Sequence, residues 1–172
     1  MTPGAAVVHL SINDLSATER LAEACASVAV PGFTFLLSGG LGAGKSTFAR
    51  AFIRCLIGAD EEVPSPTFTL VQQYALCESD DAKLEIWHAD LFRLSDPDEV
   101  LELGLDDAFA EAICLVEWPD RLGALTPKDA IELIFRFAAD KGADAREIDA
   151  RIPSTCRAAF AAACEKVGIE VH

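Results

Sequence analysis

One eight-residue segment, residues 39–46, constrains the fold more than any other part of the chain. Its sequence is GGLGAGKS, which fits the spacing G-x-x-x-x-G-K-[S/T]. A short apolar run at 33–37 precedes it and is suited to a buried strand, whereas helical periodicity follows at 46–57 and is stopped by Gly58. Glycines let the backbone curl so that its N–H groups converge, and the positive end of the next helix faces the same point. The segment therefore predicts a phosphate-binding loop between a strand and a helix.

Strands and helices alternate along the rest of the chain. The strands are predicted at 7–12, 67–74, 84–89 and 112–116, followed by a hairpin of 131–138 and 146–152. Capping-box spacing at Ser16 and Glu19 predicts a helix over 21–28, and a further helix is expected to start at 95–97 and end at Gly104. Ser154 is predicted to cap a terminal helix at 154–167. This order indicates an α/β fold of the P-loop NTPase-like, three-layer α/β/α type, with a mainly parallel central sheet and antiparallel additions. No linker or repeat divides it, so we expect one domain over 1–172.

The charge balance limits the partners of such a domain. There are 14 Lys and Arg against 28 Asp and Glu, a formal net charge of −14, which disfavours a broad electrostatic grip on nucleic acid or on a membrane surface. The N-terminal segment lacks the pattern of a signal peptide, and nowhere do about 18 apolar residues run together, so a cytoplasmic protein is expected. The six cysteines form no C-x-x-C pair and are interpreted as reduced core residues, and the three widely spaced histidines give no indication of a zinc site.

Each residue of the loop has an expected task. Leu41, Gly42, Ala43, Gly44, Lys45 and Ser46 are predicted to bind the phosphates of a nucleoside triphosphate. The Lys45 ammonium can lie against the β- and γ-phosphates, and the Ser46 hydroxyl can ligate the Mg²⁺ that bridges them. The alternative is a turn that merely connects strand to helix, with Lys45 in solvent. Such a loop does not by itself say what is done with the nucleotide, because several enzyme classes share it.

Three later segments narrow the choice: SPTFTLV at 65–71, HADLFRL at 88–94 and ICLVEWP at 113–119. Together with LGAGKSTF at 41–48, and in the same order, they resemble the TsaE (YjeE) family, the bacterial ATPases of tRNA threonylcarbamoyladenosine biosynthesis. The resemblance covers roughly residues 8–150. It implies ATP rather than GTP, Mg²⁺ held by Ser46 and Glu117, and slow hydrolysis by the isolated protein. It also implies that TsaB- and TsaD-type partner subunits modify adenosine 37 of the tRNA, and that this chain cycles that complex and meets tRNA only indirectly.

Four residues outside the loop are candidates for the site. Glu117 ends an apolar run, at the strand edge where ligands of open α/β sheets gather, so we predict a magnesium role; the alternative is an acidic residue in solvent. Asp90 resembles the aspartate of the family's H-x-D-L segment, and the sequence leaves open which carboxylate serves the metal and which the hydrolytic water. Thr67 resembles part of a switch that senses the γ-phosphate, or it belongs to a turn that initiates a strand. Trp118 resembles a tryptophan near the nucleotide, or it fills the core.

Two further residues and one alternative function complete the interpretation. Arg93 is expected to contact a phosphate or a partner, or else to form a surface ion pair, and His88 is expected to be a packed or hydrogen-bonded strand residue. Gly40, Ser46 and Phe92 depart from the family's usual aspartate, threonine and tyrosine. The alternative function is a small-molecule kinase that transfers the γ-phosphate of ATP to a metabolite, which the lack of an arginine-rich lid segment disfavours.

Overall fold

The computed structural model describes residues 6–76, 84–138 and 140–172. Within these ranges seven strands form one sheet in the order β1-β7-β6-β2-β5-β4-β3. The strands are β1 (Ala6–Ile12), β2 (Thr34–Gly39), β3 (Val71–Leu76), β4 (Leu84–Asp90), β5 (Ile113–Glu117), β6 (Ile131–Phe137) and β7 (Arg146–Ile152). The helices are α1 (Leu15–Val28), α2 (Lys45–Ile57), α3 (Pro97–Glu102), α4 (Leu105–Glu111) and α5 (Arg157–Lys166), with a short 3₁₀ segment at Pro119–Leu125.

The centre of the sheet is parallel and its flanks are antiparallel. Strands β6, β2, β5 and β4 run in the same direction, whereas β7 is antiparallel to β6, β1 to β7, and β3 to β4. In the register of the parallel strands, Glu117 of β5 lies beside Leu37 of β2 on one side and beside Asp90 of β4 on the other. The carboxyl ends of three neighbouring strands therefore meet at one edge of the sheet, directly before the glycine-rich loop.

Alternate residues of the strands pack against helices on opposite faces of the sheet. Phe35 and Leu37 belong to the larger core cluster, to which α1, α2 and α5 contribute, with Phe48 of α2 fully buried. Leu36 belongs to a second cluster, which includes Val100 of α3, Leu105 of α4 and residues of the 3₁₀ segment. β2 is thus buried on both faces, as its continuous apolar run predicts. The fold is a mixed α/β architecture, and the predicted antiparallel additions to a parallel centre are confirmed.

Two helix caps differ from the prediction. Asp14, and not Ser16, is the N-cap of α1, because its carboxylate accepts the N–H of Ala17 at 2.7 Å; a carboxylate also complements the positive helix end. The last helix begins at Arg157 rather than at Ser154, since a turn closed by the Cys156 N–H to the Pro153 carbonyl comes first. The predicted end of α2 at Gly58 is confirmed.

Two segments differ more widely. The strand predicted at 67–74 begins only at Val71, because residues 66–70 form a turn in which the Leu70 N–H donates to the Pro66 carbonyl at 2.6 Å. The helix expected to end at Gly104 ends two residues earlier, at Glu102 of α3, and Gly104 is instead the N-cap of α4, a helix that was not predicted. The late hairpin is confirmed: β6 and β7 pair antiparallel around residues 138–145.

The cysteines are mostly buried, as predicted. Cys25, Cys114, Cys156 and Cys164 are buried and unpaired, and burial raises the pKa of Cys114 to about 12 and that of Cys164 to about 11. For Cys55 the prediction of a core position is wrong, because it is exposed on α2, and Cys77 lies outside the described residues. Across 6–76, 84–138 and 140–172, neither a helix suited to crossing a membrane nor a metal-binding cluster of three His, Cys, Asp or Glu residues occurs.

Candidate active site

The glycine-rich loop joins β2 to α2, and two of its glycines are required by its geometry. Gly44 is the N-cap of α2 with a φ of 112°, in the left-handed region that L side chains rarely adopt. Gly39 also has a positive φ, of 137°, and a Cβ there would lie 2.5 Å from the Phe135 carbonyl oxygen of β6. The Ala43 N–H donates to the Gly40 carbonyl at 3.2 Å and tightens the turn. These two glycines and this hydrogen bond define the backbone path of the loop.

Lys45 lies inside this site and not in solvent. Its side chain is only 4% exposed, and its ammonium donates to the Gly39 and Gly40 carbonyls at 2.7 and 2.8 Å. The same nitrogen is 4.1 Å from the centroid of the Trp118 ring, which is within cation–π range. Burial lowers the pKa of Lys45, and the carboxylates of Glu117 and Asp90 partly oppose this effect. The Lys45 ammonium thus lies among carbonyl groups and carboxylates, within the electrostatic reach of an anion that enters the site.

A chain of hydrogen bonds joins Ser46, Glu117 and His88. The Ser46 hydroxyl donates to Glu117 Oε2 at 2.8 Å, and His88 Nε2 lies 2.9 Å from Glu117 Oε1. Glu117 is 2% exposed and His88 fully buried, so the alternative of a solvent-exposed Glu117 is wrong, whereas His88 is the packed, hydrogen-bonded residue that was predicted. Among the described residues Nδ1 of His88 has no partner, so the proton of a neutral ring belongs on Nε2. His88 therefore orients the carboxylate that holds Ser46.

The second carboxylate is held differently. Asp90 is 5% exposed; its Oδ2 accepts the Thr67 hydroxyl at 2.9 Å, and its Oδ1 accepts the Phe92 N–H at 3.0 Å. Ser65 and Thr67 are linked through their hydroxyl groups at 2.8 Å. The residue suggested as a switch is thus coupled directly to one acid of the site. The two acids, neighbours in the register, have separate partners.

Trp118 contacts Lys45 of this arrangement, whereas Arg93 contacts an exposed aromatic ring. Trp118 follows β5 with a φ of 58°, a left-handed conformation that turns the ring towards Lys45 and onto Phe92, whose ring centroid is 4.9 Å away. Trp118 is half-buried; it borders the site and also packs against the second core cluster. The Arg93 guanidinium is 5.2 Å from the centroid of the exposed Phe68 ring and does not line the cavity described next.

A cavity of about 290 Å³ brings the predicted site residues together. Its walls contain all of them: Leu41, Gly42, Ala43, Gly44, Lys45, Ser46, Thr67, Asp90, Glu117 and Trp118. Thr47, Arg50 and Phe92 also line it and had not been assigned to it. Arg50 follows Ser46 by four residues in a helix, and this spacing places both on one face, so helical periodicity was the signal that could have found it.

The polar groups of the cavity fit a hydrated divalent cation beside phosphates. A serine hydroxyl and a carboxylate 2.8 Å apart supply hard oxygen ligands, which Mg²⁺ prefers, and they lie at the N-terminus of α2 next to the lysine. A site of this kind needs few protein ligands, because Mg²⁺ keeps several waters and takes oxygens from the phosphates.

Comparisons with known proteins show which family this chain is similar to. The family model described as "Threonylcarbamoyl adenosine biosynthesis protein TsaE" matches residues 12–148. The tRNA threonylcarbamoyladenosine biosynthesis protein TsaE of Bacillus subtilis is 37% identical over 132 residues, which are 76% of this chain and 77% of that protein. The protein of the same name from Rickettsia bellii is 35% identical over 75% of this chain and 86% of its own length. The crystal structure of Bacillus subtilis YdiB matches 95% of each chain with a TM-score of 0.69 and 26% identity.

Proposed function

This chain belongs to the TsaE family of threonylcarbamoyl adenosine biosynthesis proteins, and on that premise we propose that it is a cytoplasmic P-loop ATPase that binds and hydrolyses Mg·ATP to support t6A formation in tRNA. The observation that carries the proposal is the pairing of Ser46 with Glu117 at 2.8 Å beside a buried Lys45. A merely structural turn does not require a buried ammonium and a buried carboxylate at the same helix end.

In the proposed complex each side chain has a distinct task. The loop amides and the positive end of α2 receive the phosphates, and Lys45 exchanges its two carbonyl partners for phosphate oxygens. Ser46 and Glu117 hold Mg²⁺, which supplies neutralisation of the phosphate charge. His88 holds the Glu117 carboxylate in position by a hydrogen bond, since its Nε2 lies 2.9 Å from Glu117 Oε1. Trp118 covers the lysine and narrows the access of water.

The partners of the two acids support a division of labour between them. Glu117 is bonded to the metal-binding hydroxyl of Ser46, whereas Asp90 is bonded to Thr67 of the switch-like segment. We assign the metal to Glu117 and the attacking water to Asp90. When Thr67 turns towards the γ-phosphate it must release Asp90 Oδ2, and this frees the carboxylate oxygen to orient a water. Hydrolysis is then slow until something stabilises the displaced Thr67.

The proposed partners are the TsaB- and TsaD-type subunits, which carry out the chemistry on tRNA while this chain resets their complex between turnovers. A net charge of −14 supports docking on a protein rather than on tRNA alone. Transfer of the γ-phosphate to a metabolite is the competing function; it would require basic groups to hold an acceptor, and the described lining of the cavity contains one besides Lys45, which is Arg50.

A reconstituted tRNA modification assay tests the proposal. Wild-type protein is expected to support many turnovers of the partner complex. With Lys45→Ala, tRNA modification is expected to stop after about one turnover. Lys166→Ala, which removes an exposed lysine of α5, is the control. Label from γ-labelled ATP is expected as free phosphate; label on a metabolite, or many turnovers with Lys45→Ala, would reject the proposal.

A further inference from the structure

Arg146, the first residue of β7, connects the late hairpin to the phosphate-binding loop. Its Nε donates to the Ala43 carbonyl at 3.0 Å, and its Nη2 lies 3.5 Å from the Gly42 carbonyl oxygen. These contacts join residues that are more than 100 positions apart in the sequence. Arg146 is not among the residues that line the cavity. It therefore reaches the loop from the outside.

The guanidinium is itself held on its other side. Its Nη1 donates to the carbonyls of Ala143 and Ala145, at 2.7 and 2.8 Å, and its central carbon is 4.7 Å from the centroid of the Phe137 ring. Phe137 is the partner of Arg146 in the β6–β7 register. The hairpin thus fixes the orientation of the guanidinium group independently of its contacts with the loop. Little side-chain entropy of Arg146 is therefore lost when it donates to the loop carbonyls.

Peptide geometry shows what this contact does. In a trans peptide the C=O and the following N–H point in opposite directions. A carbonyl of Ala43 that is held outwards by Arg146 therefore directs the N–H of Gly44 into the cavity, which Gly44 lines. Gly44 is also the residue with the greatest freedom to turn away, since glycine adopts many backbone conformations. The hydrogen bond from Arg146 opposes that freedom.

Within 6–76, 84–138 and 140–172, the other cation that donates to loop carbonyls is Lys45, which donates to those of Gly39 and Gly40. In the proposed function the Lys45 ammonium exchanges these carbonyls for the phosphates. Arg146 lies outside the cavity, so nucleotide binding does not require it to change its partners. Of these two cations, Arg146 is the one whose hold on the loop persists in both states.

We propose that Arg146 is a positioning residue for ATP binding, which keeps the Ala43–Gly44 peptide in its anion-binding orientation from the β6–β7 hairpin without touching the nucleotide. This inference rests on the proposed function for the identity of the ligand. It assigns to the hairpin a role in affinity and not in the chemical step.

The test compares Arg146→Met, which keeps the stem of the side chain and removes the donors, with Arg146→Lys, which keeps the charge but has a single nitrogen. Arg151→Met is the matched control, because Arg151 is another β7 arginine and pairs with Glu132 at 2.7 Å instead of with the loop. Calorimetry with Mg·ATP, steady-state phosphate release, and hydrogen–deuterium exchange of the loop without nucleotide are measured for each.

For Arg146→Met the affinity for Mg·ATP is expected to fall about 10- to 100-fold, as for the loss of hydrogen bonds from a charged donor, with the rate at saturating ATP changed less than about twofold. Loop amides are expected to exchange faster, and Arg146→Lys is expected to restore only part of the affinity. Arg151→Met is expected to match the wild type in affinity, in the rate of phosphate release and in loop exchange.

Unchanged affinity and loop exchange in Arg146→Met would overturn the inference while leaving the proposed function intact. A lower rate at saturating ATP with unchanged affinity would also overturn it, because the hairpin would then act on the chemical step and not on affinity. If the wild type binds no ATP, the proposed function fails, and the exchange of the nucleotide-free loop still decides whether Arg146 orders it. Should Arg146→Met not fold, Arg146→Lys carries the same comparison.

Discussion

Replacement of Glu117 by glutamine isolates the charge of the proposed metal ligand from its shape. The amide oxygen can accept the proton of His88 Nε2, and the amide nitrogen can donate to the Ser46 hydroxyl, so both hydrogen bonds near 2.8 and 2.9 Å are retained in form. We expect the free energy of unfolding to change by less than about 1 kcal/mol. The cavity keeps its volume, and only the negative charge is lost.

The effect on the metal follows from Coulomb's law. A divalent cation about 4 Å from one carboxylate gains roughly 2 kcal/mol even at the dielectric constant of water, and about four times more at an effective dielectric constant of 20. Glu117 is 2% exposed, so the lower figure is a minimum. The Mg²⁺ dependence of ATP binding is therefore expected to weaken by at least about 30-fold. Metal-free ATP is expected to bind slightly better, because a like charge near the phosphates is gone.

Calorimetric titration of ATP at several Mg²⁺ concentrations measures both effects in one variant. Glu132→Gln, in β6, serves as the control for the loss of one carboxylate from the sheet, and we expect its Mg²⁺ dependence to match the wild type. An unchanged Mg²⁺ dependence in Glu117→Gln, with the variant folded, would refute the assignment of the metal to Glu117. Weaker binding of metal-free ATP would refute the electrostatic argument.

The other predictions concern Lys45, Asp90 and Thr67. Lys45→Met is expected to abolish ATP binding while unfolding at a temperature equal to or above that of the wild type near pH 7, since burial lowers the pKa of Lys45 and the buried charge costs stability. At pH values between that lowered pKa and 10.5 the unfolded wild-type chain binds more protons than the folded one, so its free energy of unfolding should rise with pH relative to that of Lys45→Met. Denaturation of both proteins at several pH values measures this difference, and a difference that falls with pH in that window would contradict the prediction. Asp90→Asn is expected to keep Mg·ATP affinity within about threefold and to lower the hydrolysis rate by about 100-fold or more, as for loss of a general base, in single-turnover assays. Thr67→Ser should retain the switch where Thr67→Val does not, and equal rates for the two would remove Thr67 from the mechanism.

Local backbone requirements made part of the site predictable from the sequence. The glycine at position 44 is needed because the chain has a positive φ there, and such a requirement is visible in one residue type and one spacing. The ends of apolar runs likewise indicated where Asp90 and Glu117 leave the sheet, because parallel strands end at one edge. Both signals depend on residues that are close in sequence, so they can be interpreted without knowledge of the tertiary structure.

Long-range contacts were not predictable in this way. The bond between Ser46 and Glu117 depends on β2 and β5 being neighbours, and the sequence gives no strand order. The contact of Arg146 with Ala43 requires the hairpin to lie beside β2, which no local pattern encodes. The N-cap of α1 was predicted wrongly because Asp14 and Ser16 are both good capping residues; the side chain that accepts a backbone N–H at the helix start is that of Asp14.

A calorimetric titration of the wild-type protein with ATP, with and without Mg²⁺, reports directly on whether the cavity beside Lys45 takes up nucleotide. We predict saturable binding of one nucleotide per chain that requires Mg²⁺ for full affinity and disappears in Lys45→Met. Heats no larger than those of dilution, from protein whose unfolding transition is cooperative, would contradict the account.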